Sequence, residues 1–333
     1  MGMMRRLLSL GLLLGSIPGL EAAPRDLKIA MIAKSSANFV FLSARVGAED
    51  AAKALSRQHG VRIEVAWLTP DREDAGLQAE RLRQAVAEGA GAALISCSDA
   101  GPLTPAINAA VEKGVAVMTF DSDAPASKRF AFYGTDDAEL GDKVMAELAD
   151  LLAGKGRVAV LAGNPNAPNL KARAEAVRRA AARWPGIEVV EVVHHVETPQ
   201  GAAAEVLRVN AARSDLAGWA MVGGWPLFRS SQTPALAADI QRRGLKVVAV
   251  DALPDQLNYV ERDLVPVLWA QPTYLWGKIG VETIVDEVLL GKSVPERVRM
   301  ELVRVTRRNL GAWARQLQSW GFTGIPEEYL RRE

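Results

Sequence analysis

Apolar runs alternate with helical patterns along most of the chain. "LKIAMIA" (Leu27–Ala33) is a continuous apolar run and reads as a buried strand, and Ala44–His59 carries alanine and leucine at helical spacing. "VRIEVAWL" (Val61–Leu68), "AALIS" (Ala92–Ser96) and "VAVMTF" (Val115–Phe120) are further strands, separated by helices over Leu77–Gly89 and Leu103–Gly114. The rhythm then restarts with "RVAVLAG" (Arg157–Gly163), a helix near Asn169–Trp184, "IEVVEVV" (Ile187–Val193) and a helix within Gly201–Arg213. "LAGWAMV" (Leu216–Val222), a helix near Pro234–Gly244 and "LKVVAV" (Leu245–Val250) continue it. "VPVLWA" (Val265–Ala270), a helix over Tyr274–Gly291, "VRMELVRV" and a helix near Asn309–Trp320 come last. Buried runs in this order predict an α/β fold of parallel sheets with helices on both faces. Its repetition predicts two similar doubly wound lobes.

Length agrees with two lobes, since 333 residues is long for a single core. A net charge of +1 gives no reason to expect a nucleic-acid or anionic-membrane surface. One cysteine excludes a disulfide within the chain, and with three histidines it forms no convincing zinc set. The N-terminus stands apart. Arg5 and Arg6 precede the apolar stretch Leu7–Leu14, and the small residues Ala22 and Ala23 follow. That layout predicts a secretory signal peptide over residues 1–23 rather than a core helix, and it is too short to span a bilayer. The expected location is periplasmic.

In open α/β sheets, ligands bind beyond the carboxyl ends of the strands. The residues there are Ser35–Phe41, Ser96–Asp99, Asp121–Asp123, Gly163–Arg173, Gly223–Trp225, Asp251 and Gln271. Carboxylates, amides, cations and aromatics together suit a sugar or polyol, whose hydroxyls need paired donors and acceptors and whose C–H faces stack on rings. Enzyme signatures are missing. There is no phosphate loop, no Gly-rich dinucleotide turn after the first strand and no G-x-S-x-G elbow. Asp121 and Asp123 offer a conceivable metal pair, although acidic pairs at strand ends are common. His194 and His195 read as polar lining or surface, and Cys97 as a small buried residue. No cofactor is expected.

Six landmarks in order make the chain resemble the ribose-type periplasmic sugar-binding proteins of ABC importers, in the type I periplasmic binding protein superfamily. They are "ANFVFLSARVGAEDAA", "VAVMTFDSD", "FYGTDDAELG", "NLKARAEAV", "KVVAVDALPD" and "LWAQPTYLWGKIGVETIVDEVLLGK", over roughly Leu27 to Val303. The resemblance implies two lobes joined by a three-segment hinge, crossed near Gly134–Asp136, Ala270–Pro272 and Met300–Val303. The lobes would be 24–134 plus 272–300 and 135–271 plus 301–333. It also implies a non-enzymatic monomer that captures a small sugar or polyol and delivers it to an inner-membrane ABC permease. A ligand receptor feeding a sensor kinase or chemoreceptor is the alternative. A LacI-like regulator would need a helix-turn-helix where this chain has its leader.

By the same resemblance Asn38 hydrogen-bonds the sugar, Phe41 packs on its ring and Phe39 or Val40 lines the wall; the two phenylalanines could instead staple helix to sheet. Asp121 takes the place of the sugar-binding aspartate, with Ser122 where relatives have arginine. Asn169, Lys171 and Arg173 offer donors from the second lobe, with Lys171 where relatives have arginine, so recognition there must differ. Asp251 accepts hydroxyls or caps a helix, and Gln271 contacts sugar or merely spaces the hinge. The largest departure is Gly224–Trp225, where the family has an Asn-Asp pair. Trp225 either stacks on the ligand, approached through Gly223 and Gly224, or packs between loops. A more aromatic site with fewer charges disfavours ribose.

Overall fold

The computed structural model describes residues 26–333, so the leader reading lies outside the described residues. The strands of the first half are β1 (Leu27–Ile32), β2 (Ile63–Trp67), β3 (Ala92–Ile95), β4 (Ala116–Phe120) and β5 (Ala131–Gly134). Those of the second are β6 (Lys155–Gly163), β7 (Gly186–His194), β8 (Leu216–Met221), β9 (Lys246–Val250) and β10 (Val267–Ala270), followed by β11 (Arg297–Arg299) and β12 (Val303–Val305). The long helices are α1 (Phe39–His59), α2 (Ala75–Ala87), α3 (Ala100–Glu112), α4 (Asp137–Leu151), α5 (Pro168–Ala181), α6 (Pro199–Ala212) and α7 (Pro234–Arg243). Short α8 (Leu257–Glu261), then α9 (Thr273–Val288), α10 (Leu310–Ser319) and α11 (Glu327–Leu330) complete the set.

Two sheets result, ordered β11-β5-β4-β3-β1-β2 and β12-β10-β9-β8-β6-β7. Each strand of one has its counterpart at the same place in the other, which is the two-lobed α/β architecture the alternation predicts. The first sheet is parallel throughout, whereas β12 pairs antiparallel with β10 at the edge of the second. The stretch "VRMELVRV" is therefore split, its ends serving as the edge of one sheet and of the other. The chain passes between the sheets at 135–136, 271–272 and 300–302.

The apolar runs are continuous because both faces of each sheet are covered. On β1, Ile29 and Met31 join the core under α1 and α9, while Ala30 and Ile32 join a second core under α2 and α3. The seam between α1 and α9 is unusually close. A Cβ at Gly47 would sit 2.0 Å from the Tyr274 carbonyl oxygen, and one at Gly277 would sit 1.8 Å from that of Ala44.

Helix α1 begins five residues before its predicted start. Asn38 is its N-cap, accepting the Val40 N–H, so the aromatics of "NFVF" form the first helical turn. Strand β5 and helix α4 are elements that the apolar pattern did not mark. The signal for α4 lay in its cap: Asp136 accepts the Glu139 N–H, and Asp137 and Glu139 place negative charge on the first turn.

Candidate functional site

The carboxyl ends of both sheets face one another. Asp121 follows β4 and Asp251 follows β9, at equivalent places in the two lobes. Their N–H groups make the same kind of bond, to the Tyr133 carbonyl at 3.1 Å and the Trp269 carbonyl at 3.0 Å. Both hold left-handed backbone conformations, with φ of 57° and 91°. Strain of this sort costs about 1–3 kcal/mol per residue and persists where the surroundings hold it in place. Asp251 accepts the Gly224 N–H at 3.0 Å and the Gln271 amide at 2.9 Å, and it caps no helix. Burial pushes its carboxyl up to about 6, against the pull of Arg173.

Arg173, from the first turns of α5, is the hub of the second lobe. It donates to Asp137 at 2.8 Å and to Gln271 at 2.8 Å, and it lies 3.9 Å from Asp121 of the first lobe. Asn169, four residues earlier on the same face, reaches across the cleft. Its amide nitrogen donates to Asp121 at 2.9 Å, and its oxygen accepts from Lys34 at 3.1 Å. Ser96 supplies the other acid contact, donating to Asp121 at 2.8 Å.

Lys34 is the residue that the strand-end reading missed by a single position. It is 2% exposed and 3.7 Å from Asp121. Burial pulls its ammonium toward neutrality, but Asp121, Glu197 and Glu73 outweigh that, and its pKa rises above the ordinary lysine value. Glu197, three residues past β7, was also missed. It accepts the Trp225 indole N–H at 3.0 Å and the Asn164 N–H at 3.3 Å. Across the cleft mouth, Asn164 donates to Glu73 of the first lobe at 3.2 Å. Burial first, and Glu197 second, push Glu73 up to about 7.

The apolar wall comes from α1 and α9. Phe41 stacks on Trp276 with centroids 6.0 Å apart and meets Phe120 edge-on. Trp225 forms the facing wall, 3% exposed, its ring so close to Gly223 that a Cβ there would lie 2.4 Å away. It thus lines the cleft and braces the loops after β6, β7 and β8 at once. The cavity between the two walls has a volume of about 20 Å³, bounded by Lys34, Asn38, Phe41, Asp121, Asn169, Arg173, Trp225, Asp251 and Gln271 among others.

Three candidate residues stand elsewhere. Lys171 is exposed, because helical phase turns it away from the face shared by Asn169 and Arg173. Phe39 lies outside the cavity against Phe228 and Arg229. Ser122 is fully buried behind Asp121, off the cavity lining. Asp123 is held by Arg129 through two bonds of 2.5 and 2.7 Å and by Thr119 at 2.6 Å, which leaves it a structural partner. No group of three or more metal-ligating side chains occurs among the described residues. Cys97 is buried, and burial raises its thiol pKa.

Known proteins share this sequence pattern and fold. The ribose import binding protein RbsB of Bacillus subtilis (strain 168) is 23% identical over 299 residues, 87% of this chain and 91% of that protein. A carbohydrate transporter solute-binding protein from Agrobacterium radiobacter, solved with D-arabinose, superposes with a TM-score of 0.78 at 22% identity, over 89% of this chain and 98% of that one. A solved XylFII–LytSN complex superposes with a TM-score of 0.75 at 22% identity, over 86% and 99%. The family model described as periplasmic binding protein domain matches residues 29–293. The chain belongs to that family, one of binding proteins rather than enzymes.

Proposed function

We propose that the protein is the solute-binding component of an ABC importer, closing its two lobes on a small sugar or polyol and presenting it to a membrane permease. The observation that carries this is the convergence of buried donors and acceptors from both lobes between aromatic walls. Lys34, Asn38 and Asp121 come from one side, Asn169, Arg173, Asp251 and Gln271 from the other, with Phe41 and Trp225 facing across them. A cavity of about 20 Å³ holds about one water, whereas ligand pockets run to about 300 Å³ or more. Binding therefore requires the lobes to part. The ligand replaces cross-cleft bonds such as Lys34–Asn169 and Asn169–Asp121 with its own hydroxyls, and its differential contacts set the closed population. Gly224–Trp225 departs from the ribose-type pattern within the cleft wall, and ribose is not the ligand proposed.

A thermal-shift screen of sugars, polyols, nucleosides and amino acids tests this. A true ligand at a hundred times its dissociation constant adds about 2.7 kcal/mol. Silence from every sugar and polyol, with a shift from another class, refutes it. Export is part of the same reading; mass spectrometry of protein from its host should find a start near residues 22 to 25, and an intact Met1 in the cytoplasmic fraction contradicts it.

One observation favours a second reading, a ligand receptor for a signalling partner: the XylFII fold neighbour is solved in complex with another protein, LytSN. Ligand-dependent stimulation of a reconstituted permease ATPase supports import. Ligand-dependent capture of a sensor ectodomain, without such stimulation, supports signalling.

A further inference from the structure

Phe39 sits on the first turn of α1, yet it faces away from the ligand cavity. Asn38, Val40 and Phe41 line that cavity, and Phe39 does not. Its ring meets Phe228 of the second lobe edge-on, with centroids 6.5 Å apart and planes at 86°. The guanidinium of Arg229, also of the second lobe, lies 4.4 Å from the Phe39 ring centroid. Arg229 is exposed and makes no ion pair among the described residues, so the ring is the contact its charge has found. Beside this contact runs an open groove of about 520 Å³, into which α1 turns Phe39, Leu42, Ser43 and Val46 at helical spacing. The contact thus spans the two lobes, outside the cavity, and neither side of it belongs to the polar network around Asp121 and Arg173.

We propose that Phe39, Phe228 and Arg229 form a clasp outside the ligand cavity that sets how readily the lobes close, so that Phe39 is a positioning residue rather than a ligand contact. The proposal rests on reading the cleft as a site that closes on a ligand. An edge-on aromatic pair and an exposed cation–ring contact both form only when the lobes meet. Every ligand that needs the closed form draws on them equally, whatever its hydroxyl pattern. A residue in contact with the ligand acts differently, since its effect depends on which ligand is present.

That contrast supplies the test. Affinities for several sugars or polyols found by screening are measured by calorimetry for wild type, Phe39→Ala, Phe39→Tyr and Arg229→Gln. Small-angle scattering and melting curves of the same proteins without ligand accompany them. Phe39→Ala is expected to weaken all ligands by one common factor, about 5- to 30-fold, and to enlarge the radius of gyration. Arg229→Gln does the same by a smaller common factor, and Phe39→Tyr restores wild-type behaviour because the ring remains. Factors that differ between ligands make Phe39 a contact residue and overturn the clasp. Unchanged affinity and unchanged scattering overturn it too, as does a lowered melting point with neither property moved. If the wild type binds no sugar or polyol, the proposed function fails while the scattering comparison still decides the clasp.

Discussion

Glu73 and Glu197 stand on opposite lobes at the cleft mouth, and this should give closure a pH dependence of definite sign. Glu73 belongs to the first lobe and Glu197 to the second, and both are bonded to Asn164. Burial and the Glu197 charge move the Glu73 carboxyl from its ordinary 4.5 to about 7. An acid raised in this way binds its proton more tightly in the closed form than when the lobes are apart. Its support for closure is complete below about 4.5 and is lost as pH rises through about 7. The full difference corresponds to about 3 kcal/mol. Glu73 is only partly buried, and solvent at the cleft mouth screens part of this, so about 1 to 2 kcal/mol, or about tenfold in affinity, is the working figure. Calorimetry with a screened ligand from pH 5 to 8 should show binding weakening by about that factor in the wild type. Glu73→Gln keeps an oxygen for the Asn164 amide and removes the charge. It should bind more tightly than wild type at pH 8 and show a flatter profile. Asp251, raised to about 6, also titrates in this window, so the comparison between the two proteins is what isolates Glu73. Parallel pH profiles would refute the reasoning.

Asp121→Asn and Asp251→Asn should each weaken ligand binding by about 1.5–3 kcal/mol in calorimetry; asparagine is chosen because it tolerates positive φ better than alanine, and unchanged affinity removes that residue from the site. Trp225→Ala should lose about 1–3 kcal/mol of affinity and also melt lower without ligand, because the ring braces Gly223 and Glu197. Trp225→Phe should fall between, keeping an aromatic face but leaving Glu197 short of a donor; equal binding by all three proteins places Trp225 outside the function of the cleft. Gly277→Ala should destabilise the fold by about 1–3 kcal/mol, since the added methyl meets backbone rather than a side chain that can move; a melting curve matching wild type contradicts the close seam.

The strands were legible because burial on both faces turns them into unbroken apolar runs, and the strand ends then located Asp121, Asp251 and Gln271. Lys34 escaped because the run "LKIAMIA" was closed at Ala33, and a lysine there looks like the first loop residue. What makes it a site residue is Asp121, 87 positions away in the chain. Lys171 was a matter of helical phase. Once the helix is fixed to start at Pro168, Asn169 and Arg173 share a face and Lys171 cannot join them. Phe39 fell to the same cause, because reading Ser35–Phe41 as loop hid the helical turn that points Phe41 inward and Phe39 outward. Glu73 and Glu197 had no local signal. Each sits a few residues past a strand, and only the meeting of two lobes makes either one notable.

The glycine seam between α1 and α9 has a bearing on how this protein's preferences can change. Asn38 and Phe41 ride on α1, Trp276 rides on α9, and the two helices touch backbone to backbone at Gly47 and Gly277. A substitution on either helix that needs a shift of its axis is transmitted to the other, and through Phe41 and Trp276 to both aromatic surfaces. The opposite wall is hung on the loops after β6, β7 and β8, which carry Asn164, Glu197 and Trp225 and can change length or composition without moving a helix. Divergence in ligand choice, whether by evolution or by design, should therefore concentrate at 164–167, 195–198 and 223–228, leaving the α1–α9 block as the inherited half of the grip.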